Sequence, residues 1–116
     1  MVFRFKNFKV YQDAKDFGKF CREIVDKKIT DRNLADQLRR ALNSVILNIA
    51  EGSAYNSDIE FARFLGISIR SVYEVVAGFD IALHYGMINE ELNMQFEEKA
   101  EELIKQLCGF RTSLKN

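Results

Sequence analysis

"RRALNSVILNIAEGSA", Arg39 to Ala54, is the stretch whose reading decides the fold. Its apolar residues recur at helical spacing and not in strand alternation. Leu34, Leu38, Ala41, Val45, Asn48 and Gly52 share one seam, and Ala35, Leu42 and Ile49 widen it. A helix apolar over more than one stripe packs on more than one neighbour, as in a bundle core or an oligomer. The helix is expected over about residues 31–55. Its end is unusual, because Asn48, Glu51 and Gly52 gather a polar amide, a carboxylate and a glycine in an otherwise apolar run.

Three further segments carry the same rhythm. Val10, Ala14, Phe17, Cys21 and Ile24 define a first helix over about 8–28, preceded by an extended lead-in, "VFRF", whose Phe3 and Phe5 dock on the bundle. Ser57 followed by Glu60 matches the capping box that opens a helix. The helix it opens, about 58–85, follows Phe61, Leu65, Ser68, Val72, Val75, Phe79 and Ala82, and Gly86 suits its left-handed stop, with Met87 and Ile88 free to pack back. Asn89 caps a fourth helix over about 90–114, where Glu90 and Glu91 suit the positive end of the dipole and the last few residues fray. Four amphipathic helices with short connections give a single all-α domain, an up-down-up-down antiparallel four-helix bundle spanning residues 1–116.

Composition agrees. The chain has no proline and only six glycines, as long helices with short loops require. With 17 basic and 17 acidic side chains, net charge gives no support to indiscriminate binding of nucleic acid or anionic membrane. The distribution is uneven: residues 1–58 carry 11 basic and 8 acidic groups, and residues 59–116 carry 6 and 9, so the halves are +3 and −3. Cys21 and Cys108 lack metal or redox spacing and read as buried small hydrophobes in a reducing compartment. With no signal peptide and no run of about 18 apolar residues, the expected location is cytoplasmic and no membrane partner is expected.

Catalytic chemistry lacks material. His84 is the only histidine, so a His-rich metal site lacks material and a conventional Ser-His-Asp arrangement lacks context. No phosphate-binding glycine loop, dinucleotide fingerprint or CxxC pair is present, and no cofactor or metal is expected. Asn48 and Glu51 are the remaining candidates for acid–base work, but a small packed bundle leaves little room for a substrate. A structural reading is preferred: Gly52 admits a neighbouring backbone, Asn48 bonds across the seam, and Glu51 meets a basic partner among Arg39, Arg40, Arg63 and Arg70. Nucleic-acid binding is the more serious function. Lys6, Lys9, Arg39 and Arg40, beside Phe8 and Tyr11, form a phosphate-binding surface if the helices bring them together, and oligomerisation would multiply it. Arg63 and Arg70 lie two turns apart on one helix face, although Glu60 and Glu74 have spacings that neutralise them.

The segments "FKNFKVYQDAKDF", "RRALNSVILNIAEGSA" and "EFARFLGISIRSVYEV" resemble, in order and spacing, the bacterial four-helix-bundle proteins encoded by intervening sequences within large-subunit ribosomal RNA genes, a family that includes the accessory protein of diversity-generating retroelements. Asn48-Ile49-Ala50-Glu51-Gly52, followed by Phe61 and Phe64-Leu65, is the most specific part. The resemblance implies a homopentamer without enzymatic activity that binds RNA or DNA. This chain is neutral where the retroelement relatives are basic, and Arg70 stands where the family often has glycine, with Ser71 and Glu74 keeping the pattern. Two functions follow: an oligomeric nucleic-acid-associated protein, or an oligomeric scaffold that holds a protein partner. An enzymatic reading ranks last. Asn48, Glu51 and Gly52 are expected to mark a close packing point at or beside a subunit contact.

Overall fold

The computed structural model describes residues 2–114, which form a 3-10 turn, Arg4–Asn7, and four helices: α1 Lys9–Lys28, α2 Arg32–Gly52, α3 Asp58–His84 and α4 Glu90–Ser113. There is no strand among the described residues. Each helix packs on two neighbours, α1 on α2 and α4, and α3 on α2 and α4. Side-chain pairs fix every adjacent pair as antiparallel. Arg22 meets Asn43 and Arg39 meets Asp26 across α1 and α2, while Phe79 meets Phe96 and Phe61 meets Phe110 across α3 and α4. The expected all-α bundle is therefore the observed one, drawn out to 45 × 21 × 19 Å.

The core runs the length of this rod. Phe61, Phe79, Phe96, Leu38, Leu42, Ile49, Leu65 and Leu107 are its largest fully buried side chains. Phe79 and Phe96 stack at 3.9 Å between ring centres, and Phe17 reaches Phe96 from α1 at 5.9 Å. Helices α2 and α3 approach closely because α3 offers small residues to α2. A methyl group at Gly78 would collide with Leu38, Ser68 donates its hydroxyl to the Val45 carbonyl at 2.7 Å, and Ser44 and Ser71 share a 2.8 Å bond.

The helix ends follow local chemistry. Asp31 accepts hydrogen bonds from the Asn33 and Leu34 amides, and Asn89 accepts from the Leu92 amide. Ser57 accepts from the Glu60 amide at 3.3 Å, but the Glu60 carboxylate turns to Arg63, so only half of the capping box is made. Gly86, at φ +77°, ends α3 as expected: its amide donates to Leu83 and that of Met87 donates to Ala82, and Ile88 is buried beyond it.

Two boundaries differ from expectation. The lead-in is not extended; amide bonds from Lys6 to Phe3 and Phe8 to Phe5 coil it, since no strand exists for it to pair with. Phe5 docks edge-on against Tyr11 at 4.9 Å, whereas Phe3 is 58% exposed. Helix α2 stops at Gly52 and not at Tyr55, where the Ala54 and Tyr55 amides bond back to Glu51 and Gly52 and tighten the chain into the turn towards α3. The expected fraying of the last residues, where it concerns 115 and 116, lies outside the described residues.

Candidate functional site

Antiparallel packing brings the start of α1, the end of α2, the start of α3 and the end of α4 to one end of the rod. Arg4 marks the join: its Nε donates to the Ser53 carbonyl at 3.1 Å, and its guanidinium lies 5.5 Å from the Phe61 ring centre. Arg70 lies 12 residues past the start of α3, farther along the rod, whereas Lys6, Lys9 and Arg63 belong to this end. Arg39 and Arg40 do not, because they precede the end of α2 by 13 and 12 residues, roughly 20 Å at the helical rise. The six expected basic residues therefore do not make one surface.

Most of them are also occupied. Lys9 Nζ is 2.6 Å from Asp13, whose hydrogen bond and charge raise the Lys9 pKa above its ordinary value. Arg39 is held by Asp26 at 2.9 Å, which ties α2 to α1, and by Asp36 of its own helix at 3.0 Å. Lys6 lies over the Phe3 ring, with its ammonium 5.6 Å from the centroid. Arg40 is exposed, with no ion pair among the described residues.

The remaining pair is brought together, with a third member. Arg63 and Arg70 on α3 line a groove of about 870 Å³ with Arg111, which crosses from α4. Gly66 is its floor: a Cβ there would sit 3.4 Å from the Arg111 guanidinium and 3.8 Å from that of Arg70. Any side chain longer than methyl at residue 66 would enter the space between the two guanidinium groups. Ile59, Ala62 and Leu114 add apolar wall, and Asp58 is the one carboxylate among the described residues that line the groove. The expected Arg70–Glu74 pair is not formed, and neither Arg70 nor Arg111 has an ion pair among the described residues. Arg63 does pair with Glu60, at 3.1 Å, and lies 4.8 Å from the Phe64 ring centre. Tyr55 stacks on the same ring at 5.2 Å.

The α2–α3 signature is structural in form. A Cβ at Gly52 would lie 2.7 Å from Phe64 Cβ and 2.8 Å from Phe61 Cδ1, so the close approach expected there is real. Asn48, however, does not bond across the seam: its amide donates to the Ser44 carbonyl and hydroxyl within α2, and Ser44 makes the crossing to Ser71. Glu51 meets no basic partner. It is exposed, and Arg39, Arg40, Arg63 and Arg70 all point elsewhere or sit on other turns. Burial pushes the Cys21 thiol well above its ordinary pKa, and both cysteines are unpaired. Among the described residues no cluster of His, Cys, Asp and Glu is arranged to hold a metal ion, and no helix is long and apolar enough to cross a membrane.

Arg111 and Tyr55 are the residues that sequence reasoning missed. The signal for Arg111 lay in the α3–α4 hairpin. Folding the chain back about Gly86–Asn89 places the end of α4 beside the start of α3, and with it Arg111 beside Gly66.

The fold and this end of the molecule define an all-α four-helix bundle bearing an arginine groove. Residues 6–109 match the model of the 23S rRNA-intervening sequence proteins, and the chain belongs to that family. Among solved structures it is similar to a protein of unknown function from the S23 ribosomal protein family of Bacteroides thetaiotaomicron, with a TM-score of 0.78 and 17% identity over 92% of this chain and 99% of the other. That likeness is one of fold. No curated protein matches the chain.

Proposed function

We propose that this is a non-enzymatic, oligomeric protein of the cytoplasm that associates with nucleic acid, RNA or DNA, through the groove between α3 and α4. The observation that carries the reading is the convergence of Arg63, Arg70 and Arg111 on one groove, the latter two without a carboxylate partner among the described residues. Guanidinium groups left unneutralised in a concave site attract phosphate, and each phosphate neutralised releases counterions. Among the described residues the groove is lined by no histidine, cysteine or lysine, and Ser57 is engaged in capping α3.

Self-association, as the homopentamer that the resemblance implies, is supported by α3. Tyr73 and Ile81 on α3 and Tyr85 just beyond its end leave large side chains exposed, at 65%, 44% and 73%, which a second copy could cover. The same side chains favour the second reading, a scaffold whose partner is another protein.

The discriminating experiment is binding of a mixed pool of RNA and single-stranded DNA at low and moderate salt, with Arg70→Glu/Arg111→Glu and Arg40→Glu as variants. The groove double variant is expected to lose at least about tenfold in affinity and to flatten the salt dependence, whereas Arg40→Glu leaves both unchanged. A protein that ignores nucleic acid at every salt concentration would leave the scaffold reading in place, and a double variant that binds normally would move the nucleic-acid site off the groove.

A further inference from the structure

The groove opens beside a feature that phosphate binding alone does not use. Tyr55, in the loop between α2 and α3, stacks one face on Phe64, with ring centres 5.2 Å apart and planes 27° from parallel, and is still 43% exposed. Arg63 belongs to both features: it lines the groove, and its guanidinium lies 4.8 Å from the Phe64 ring centre. A tyrosine supported on one side and open on the other is a platform for a second flat ring. Beside it Ile59, at 80% exposure, adds apolar surface where a base has apolar faces and a phosphate has none.

We infer that the groove takes single-stranded nucleic acid, with backbone phosphate on Arg70 and Arg111 and an unpaired base stacked on Tyr55. This rests on the nucleic-acid reading above and specifies its ligand. A single strand exposes base faces and a flexible line of phosphates, so it can lie in the groove and turn a base past Arg63 onto the tyrosine. A duplex cannot. Its base faces are stacked internally, and its two rows of phosphates need a broad positive surface, whereas here Asp58 lines the groove and Glu60 flanks it beside Arg63. A second row of phosphates would meet those carboxylates.

The test is fluorescence anisotropy at low salt with three labelled probes of equal length: a uridine RNA strand, a thymidine DNA strand and an RNA duplex. Both single strands are expected to bind at least about tenfold more tightly than the duplex. Tyr55→Ala should weaken single-strand binding by about 5- to 150-fold, the range for loss of one base-stacking platform, and Tyr55→Phe should retain it. The chain has no tryptophan, so Tyr55→Trp supplies a unique reporter whose emission should be quenched by the single strands and not by the duplex. Equal or tighter duplex binding, or an unquenched tryptophan at saturation, overturns the single-strand assignment. If Arg70→Glu/Arg111→Glu still abolishes binding in that case, the broader nucleic-acid reading survives. Absence of binding by every probe overturns both.

Discussion

Gly52 shows how much one missing methyl group can decide. The space that a Cβ would need is filled by Phe64 Cβ and the Phe61 ring, and Phe61 is itself a wholly buried member of the core. The neighbour is a side-chain root and not a flexible tip, so it cannot swing away. Gly52→Leu is expected to cost about 3 kcal/mol or more through overpacking, read as a fall in the urea midpoint. One residue earlier, Glu51 is exposed and without an ion pair among the described residues, and Glu51→Gln should melt with the wild type. A Gly52→Leu protein with unchanged midpoint and size would show that the α2–α3 junction tolerates being pushed apart.

Among the elements, α1 and α4 are joined by a contact that responds to pH. Asp13 accepts hydrogen bonds from Lys9 on its own helix and from Gln106 on α4, and these bonds hold its carboxyl below the ordinary value of 3.8. A carboxylate whose pKa is lowered on folding contributes stability that is fully present above the unfolded value and is lost as the pH falls through the folded one. The wild type should therefore melt above Asp13→Asn near neutrality, and the gap should close in acid below about pH 4. A gap constant down to pH 2 would mean that the carboxylate charge contributes nothing.

At this same scale the sequence was most informative. Helical periodicity carried all four helices, and Ser57, Asn89 and Gly86 marked ends that hydrogen-bonding side chains and a left-handed glycine define locally. The lead-in misled because two alternating phenylalanines look alike in a strand and in a 3-10 turn, and only the absence of a strand partner separates them. The candidate site was legible in part. Arg63 and Arg70 share a face by spacing alone, but Arg111 joins them only through the register of α4 on α3. Which cations are already neutralised is also a tertiary fact: Arg39 is bound by Asp26 on another helix, whereas Arg70 does not use the Glu74 that its own helix offers.

For the whole molecule, the exposed large side chains of α3 bear on assembly. If Tyr73 and Ile81 are covered by a second copy, Tyr73→Glu/Ile81→Glu should lower the mass measured by light scattering towards that of one 13.5 kDa chain while leaving helical content intact. These side chains lie outside the core of the single bundle, so removing them does not empty it. An unchanged oligomer would place the subunit contact on another face.

Helix α3 carries the arginine groove in its first half and the exposed Tyr73 and Ile81 in its second. The proposed grip and the proposed glue thus share one rod, a fixed distance apart. In a ring closed through those two side chains, every groove would face the same rim at equal intervals, like cleats around a drum. An oligonucleotide short enough for one cleat would be indifferent to the ring, whereas a strand long enough to wrap from one cleat to the next would gain from every subunit it passes.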